Sequence, residues 1–334
     1  MQLRVGLNPY GLTYLLGLQG KDTARANPRG RGLEGFIAVA EELGAEVLEI
    51  FDPWLAELSD DELRRLRDRL GTLGMTPVVS SGLNLMGPVE SAMRSARLLG
   101  ADTIRFGLSR VLCGDRNAQG ENWGTLCAGI TEGLAHWGPR AADAGVVLAI
   151  ENHQDFGSAE LVAFCEAAGP GVGITFDMGN TFPVAEAPLA FTRTIAPYVR
   201  HVHLKDYRVQ FTDEGYRLVR CAIGDGAVPH KAMLDIIAGH RDSLTAVLEP
   251  GALEVRHIRL FTPDWWKGYA PRSAVELAEC LAAARVNHLS EDADYRTPWE
   301  RSADDEVETY ELEMIRRSAA NMRAQSIMKA ETRA

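Results

Sequence analysis

Four short segments of the chain, VLAIENH, GITFDMGN, RHVHLKD and AVLEPG, each run through apolar residues and stop at one ionisable side chain: Glu151, Asp177, His203 and Glu249. The first three anchors are evenly spaced, at about the length of one strand, one loop, one helix and a return loop. Two Glu, one Asp and one His aimed at a common point would repel or protonate unless a cation sat among them, so the set reads as the ligands of one divalent metal ion. Three carboxylates with one imidazole make a hard, oxygen-rich site, which suits manganese first, with magnesium or cobalt as alternatives. Such an ion would take a carbonyl and a neighbouring hydroxyl of a substrate and act as a Lewis acid.

Four strand ends meet at one point only if the strands are parallel and closed. Eight apolar runs qualify as buried strands: LRVGLN, EVLEIF, TPVVSSG, DTIRFG, VVLAIEN, VGITFD, VRHVHL and TAVLEP. Amphipathic stretches lie between them, among them GLEGFIAVAEELG, DDELRRLRDRLGTLG and PVESAMRSARLLG, which close on Gly44, Gly74 and Gly100 as helix ends often do. Strand and helix alternate from Leu3 to Arg285, close to the roughly 250 residues of an eight-fold barrel. An open doubly wound sheet is the competing arrangement, but GLNPYG after the first strand is no dinucleotide fingerprint. The expectation is an α/β protein: a (β/α)8 TIM barrel over residues 1–288 with a C-terminal helical extension over 289–334. The extension begins DADYRTPWERSADDE and then takes helical spacing, with Tyr310, Met314, Ala320 and Met322 among its less polar positions. It should dock on the barrel wall or on a neighbouring subunit.

Composition narrows the partners. A formal charge of −11 over 334 residues repels phosphate backbones and anionic lipid, and no polybasic tract offsets it. Neither nucleic acid nor membrane is expected. The opening MQLRVGLN has no apolar signal run, which predicts a cytoplasmic protein. The five cysteines are scattered without CxxC spacing, so they are expected as reduced thiols rather than a disulfide frame or zinc ribbon.

At these four segments the chain resembles the xylose isomerase-like barrel family, which holds sugar isomerases and epimerases, inosose and dehydroshikimate dehydratases, and the endonuclease IV branch. The resemblance covers about Leu3 to Arg285 and implies that Glu151, Asp177, His203 and Glu249 are metal ligands on the fifth to eighth strands. His203 competes with His201: the HVH run is read with one ring turned to the barrel and the other to the helices, and the family's HxHLKD pattern selects His203. Many ketose epimerases of the family carry His three residues after the aspartate ligand, where this chain has Asn180. Endonuclease IV relatives use a multi-metal cluster rich in histidine, which eight scattered His in an acidic chain do not supply.

The remaining candidates concern the proton and the substrate. His153, two residues past Glu151, would share its face and titrates near neutrality, so it is the first candidate for the base; a loop histidine bonded to Asp155 is the plain alternative. Lys205, two past His203, would bring positive charge to a developing oxyanion, or pair with Asp206 or a neighbouring strand's carboxylate. By resemblance to the ketose epimerases, Glu151 and Glu249 could serve as the acid–base pair. Substrate contacts are expected from Glu49 inside VLEIF and from Asn180. Long rim loops should add more, with Arg25, Arg29 and Arg31 in the first, Arg105, Arg110 and Arg116 in the fourth, and His257, Trp265 and Trp266 in the eighth. Arg residues there would grip a carboxylate bidentately, and the Trp pair would cover a sugar face, fix a lid or form a subunit contact. The whole reads as a metal-dependent enzyme forming an enediolate on a small sugar, keto-sugar or sugar acid, of isomerase or epimerase type. A lyase on the same substrates stands close behind: a decarboxylase, a dehydratase, or the α-subunit of a C-glycoside deglycosidase with a small partner subunit. A homo-oligomer is compatible with either.

Overall fold

A computed structural model describes residues 1–82 and 89–330. Pro88, which opens the expected PVESAMRSARLLG helix, and the last four residues of the extension lie outside the described residues. Each expected apolar run is a strand: β1 (Gln2–Leu7), β2 (Val47–Phe51), β3 (Thr76–Ser81), β4 (Thr103–Phe106), β5 (Val147–Glu151), β6 (Val172–Asp177), β7 (Val199–Leu204) and, after a hairpin, β10 (Ser243–Leu248). All pair in parallel and close in the order β1-β10-β7-β6-β5-β4-β3-β2. Strands buried on both faces have no reason to alternate polar and apolar residues, which is why they stand out as continuous runs. Where β1 meets β2 the backbones approach so closely that a Cβ at Gly6 would lie 1.7 Å from the Val47 carbonyl oxygen. Only glycine fits that seam.

Helices α1 (Gly32–Glu42), α2 (Asp52–Ala56), α3 (Asp60–Thr72), α4 (Val89–Leu99), α5 (Trp123–Asp143), α6 (Ser158–Ala168), α7 (Pro188–Ile195) and α8 (His230–Ala238) follow their strands. Gly44, Gly74 and Gly100 take positive φ at the ends of α1, α3 and α4, as their positions in the sequence suggest. Helix α3 opens with a reciprocal capping box between Ser59 and Glu62. Two features lie outside the simple repeat. Strands β8 (Tyr207–Thr212) and β9 (Gly215–Arg220) form a hairpin directly after β7, joined by β11 (Arg256–Ile258) into an antiparallel sheet beyond the carboxyl ends of β7 and β10. Helix α9 (Ala274–Ala284) packs beside it, with Cys280 against Tyr216.

Beyond residue 288 the tail runs into one long helix on the barrel wall. Its helix α10 (Asp304–Ala324) packs on β10 and puts Ile315, Ala319 and Met322 into the same apolar core as the barrel strands. On one side Arg316 pairs with Glu42 and Arg323 donates to the Leu43 carbonyl at the end of α1; on the other Asn321 donates to Ile223 and Asp225 ahead of α8. This helix fills the eighth position of the barrel's outer ring, between α8 and α1. The first rim loop is strapped to it as well. Arg25 pairs with Asp304, and Arg29 and Arg31 with Glu308, so these three arginines fasten the tail instead of reaching a substrate. Glu311, fully buried, accepts from the Tyr14 and Leu15 amides at 3.0 and 2.8 Å and from the Thr13 hydroxyl. Glu311→Ala should orphan those two amides at about 1–3 kcal/mol each. A thermal melt should show a loss of several degrees, and an unchanged midpoint would mean that the strap carries no stability.

Candidate active site

The barrel places one anchor at the rim end of each of four successive strands, Glu151 closing β5, Asp177 closing β6, His203 near the end of β7 and Glu249 just past β10. Asp177 and His203 lie directly opposite in register. One ligand atom from each of Glu151, Asp177, His203 and Glu249 falls within 4.8 Å of the others, and all four residues are buried.

The hydrogen bonds around His203 decide what the cluster can hold. With its Nε2 donating to Glu49 Oε2 at 2.7 Å, a neutral His203 ring presents Nδ1 as a lone pair. That Nδ1 faces Glu249 Oε2 at 2.8 Å and Glu151 Oε1 at 3.2 Å. Both His203 Nδ1 and Glu151 Oε1 are buried with no hydrogen-bond partner. Acceptor set against acceptor in a dry interior is resolved only by a proton or a cation. Accordingly, although burial disfavours its charged form, Glu49 and Glu249 hold the His203 imidazole well above its ordinary range, and burial pushes the Asp177 carboxyl up to about 7 against the pull of Lys205. The residues present fit a divalent cation.

A polar frame holds these ligands. Asn8, at the end of β1, donates to Glu249 Oε2. Asn152 exchanges two bonds with the Asp177 backbone, at 2.7 and 2.8 Å, and Asn180 Nδ2 donates to Asp177 Oδ2 at 2.6 Å. Arg105 pairs with Glu151 and donates to the Ser81 carbonyl, and Lys205 bridges Asp177 and Glu249. Lys205 therefore pairs with neighbouring strands' carboxylates, whereas Asp206 takes the amides of Tyr207, Gly224, Gly226 and Val228. Above the ligands opens a cavity of about 860 Å³, whose lining includes Tyr10, Arg105, His153, Lys205 and Glu249. Burial lowers the His153 imidazole to about 4, so its neutral, proton-accepting form prevails at pH 7, and its Nδ1 has no partner. Asp155 bonds Ser109 and the Phe156 amide rather than His153.

Several expected substrate contacts turn out to be placed elsewhere. Glu49 does not line the cavity: fully buried on β2, it reaches across the barrel interior to His203 and, at 3.1 Å, to His201. His201 faces inward too, its Nδ1 2.7 Å from the Thr245 hydroxyl. The expected opposite facing of His201 and His203 is thus corrected, since residues two apart on a strand share a face. Asn180 is fully buried against Asp177. His257, on β11, bonds Thr212 away from the cavity. Trp265 is buried, stacked on Tyr269 with its indole N–H on the Cys113 carbonyl, which fixes the eighth loop to the fourth. Arg116 is likewise internal, bonded to Asp155, Glu160 and Gly268. Sequence reasoning missed Asn8, Asn152 and Tyr10, yet Asn8 and Asn152 carry the signal that marked the ligands, a polar side chain ending an apolar run.

Glu49 holds the ligand imidazole in one tautomer and orientation, so Glu49→Gln should weaken cation binding by about 10–100-fold. Titration of the stripped protein with manganese, followed calorimetrically, would show it. An unchanged affinity would mean that His203 is held by packing alone.

Comparison with known proteins agrees with the barrel fold. The sequence model described as xylose isomerase-like TIM barrel matches residues 37–265. The uncharacterized protein YihM of Escherichia coli (strain K12) is 26% identical over 250 residues, 72% of this chain and 73% of that protein. Inosose dehydratase 1 of Bacillus cereus (strain ZK / E33L) is 24% identical over 213 residues, 60% of this chain and 62% of the dehydratase. In three dimensions, the crystal structure of a D-psicose 3-epimerase in the presence of D-fructose superposes with a TM-score of 0.59 at 18% identity, covering 96% of this chain and 98% of the epimerase.

Proposed function

The chain belongs to the xylose isomerase-like TIM barrel family and is an enzyme of isomerase or lyase type, and from that premise we propose that it holds one divalent ion, manganese first, and forms an enediolate on a small sugar, keto-sugar or sugar acid. Glu151, Asp177, His203 and Glu249 would hold the ion, which when bound polarises a carbonyl next to a hydroxyl and so acidifies the neighbouring C–H. The observation that carries the reading is the mismatch of His203 Nδ1 against two carboxylate oxygens beneath a cavity of about 860 Å³.

His153 takes the proton from carbon. It lines the cavity as a neutral imidazole, whereas Glu151 is occupied by Arg105 and Glu249 by Asn8 and Lys205. The ketose-epimerase arrangement, with Glu151 and Glu249 as acid and base, would require those donors to let go. Lys205, its ammonium between Asp177 and Glu249, places positive charge where an oxyanion develops. Arg105 orients Glu151 and stacks near the Tyr10 ring. Return of the proton to the same or the adjacent carbon gives epimerisation or isomerisation; loss of a β-substituent from the same carbanion gives a lyase. Similarity to an inosose dehydratase supports the second outcome and likeness of fold to a psicose epimerase is compatible with the first.

Keto-sugars and sugar acids incubated with metal-loaded protein in deuterated water, and followed by NMR, test the reading. Solvent deuterium should enter at the carbon next to the carbonyl, and an accompanying isomer or an unsaturated product assigns the reaction type. Absence of exchange across both classes would overturn it.

A further inference from the structure

We propose that the cavity carries an anion-binding subsite formed by Arg110 and Arg256, so that the sugar processed there bears a carboxylate or a phosphate; this rests on the cavity being a sugar site. Four basic side chains other than His153 line the cavity, namely Arg105, Arg110, Lys205 and Arg256. Two of them are consumed by the metal ligands: Arg105 by Glu151 and Lys205 by Asp177 and Glu249. The side chains of Arg110, an exposed residue, and of the half-buried Arg256 make no hydrogen bond or ion pair among the described residues, although the molecule carries an excess of acid and pairs most of its other arginines. Arg256 is more than an idle surface cation, because its Nε is buried without an acceptor. A guanidinium N–H taken out of water with no acceptor costs free energy, and a ligand oxygen would recover it.

Position supports a joint role. Arg256 projects from β11, close enough to act electrostatically on both Tyr207, at the cavity wall, and Cys113, which lies three residues beyond Arg110 in the loop after β4. Two guanidinium groups thus reach the cavity lining from different elements, the loop after β4 and strand β11, and their planar forks match the geometry of an oxyanion. The acids that share the cavity do not compensate them. Asp52 is bonded to Ser81, Glu254 takes Gln19 across the loops, and Glu57 is exposed at the end of α2. The hydroxyls of a neutral hexose could accept from these N–H groups but would leave both charges uncompensated.

Calorimetric titration of the manganese-loaded protein with D-glucose, D-glucuronate and D-glucose 6-phosphate tests the subsite. At least one of the two anions should bind about tenfold or more tightly than the neutral sugar, and which one does so identifies the anionic group. Arg110→Gln and Arg256→Gln should each erode that preference and the double variant should erase it, while Arg256→Lys should keep part of it because a point charge lacks the fork. Equal binding of all three sugars, no anion binding at millimolar concentration, or a preference that survives in the double variant would overturn the proposal. Repetition in Asp177→Asn separates it from the metal reading. A preference that persists there and depends on Arg110 and Arg256 supports the subsite, whatever the fate of the metal. One that vanishes with the ion belongs to the ion and overturns the subsite alone.

Discussion

Asp177→Asn and Glu249→Gln should each empty the metal centre and abolish turnover. Both substitutions keep the shape of the side chain while removing an anionic ligand from a buried site. Each also leaves Lys205 with one carboxylate instead of two, so the remaining cluster gains positive charge as it loses a ligand. The loss of affinity should go well beyond the roughly 10–100-fold that outer partners such as Glu49 are worth. Elemental analysis of purified protein should fall from about one divalent ion per chain to a trace in both variants. It also identifies the ion, and zinc in place of manganese would revise the choice of metal without moving the site. Unchanged metal in both variants would remove the foundation of the proposed function.

His153→Ala should lower turnover by about 100-fold or more, the usual scale for a positioned base, while leaving metal content and the melting curve intact. Nothing in the fold leans on this imidazole: its Nδ1 is unpartnered and its neighbour Asp155 is bonded elsewhere. Exchange of the substrate C–H with deuterated solvent should fall in parallel, because exchange needs the base but no later bond-breaking step. Glu151→Gln makes the contrast, costing metal as well as activity. Near-normal exchange in His153→Ala would transfer the proton to Glu151, Glu249 or Lys205 and restore the ketose-epimerase account.

The legible parts of this protein are those where one physical requirement acts on a contiguous stretch. A parallel strand buried on both faces must be apolar along its length, so all eight barrel strands could be read, and a ligand at a strand end interrupts such a run conspicuously. The β8–β9 hairpin is equally written in the alternation of Tyr207, Val209 and Phe211, but it stands inside a β/α rhythm that expects a helix there. Roles that depend on what lies across the barrel were not legible. Glu49 looks like a rim acid from its own strand, and only the closure of the barrel brings it to His203. His257 and Trp265 sit in the right loop, but their side chains are spent on Thr212 and Cys113, contacts that no local pattern encodes. The first-loop arginines read from the sequence as candidate substrate contacts because their partners, Asp304 and Glu308, stand 279 and 277 residues from Arg25 and Arg31 in the chain.

That separation sets the order in which the molecule can be completed during synthesis. All eight strands have left the ribosome before α10 exists, so for the time it takes to make the last helix the wall formed by β10 and the loop after β1 has no cover. Domains otherwise fold as units while the chain is elongated at about 5–20 residues per second, but here the unit is closed from its far end. The nascent barrel therefore waits with apolar surface open, and its closure pairs the first loop with α10 across a separation of up to 298 residues. A ribosome stalled just short of α10 would hold a chain with its strands made and its outer ring one helix short.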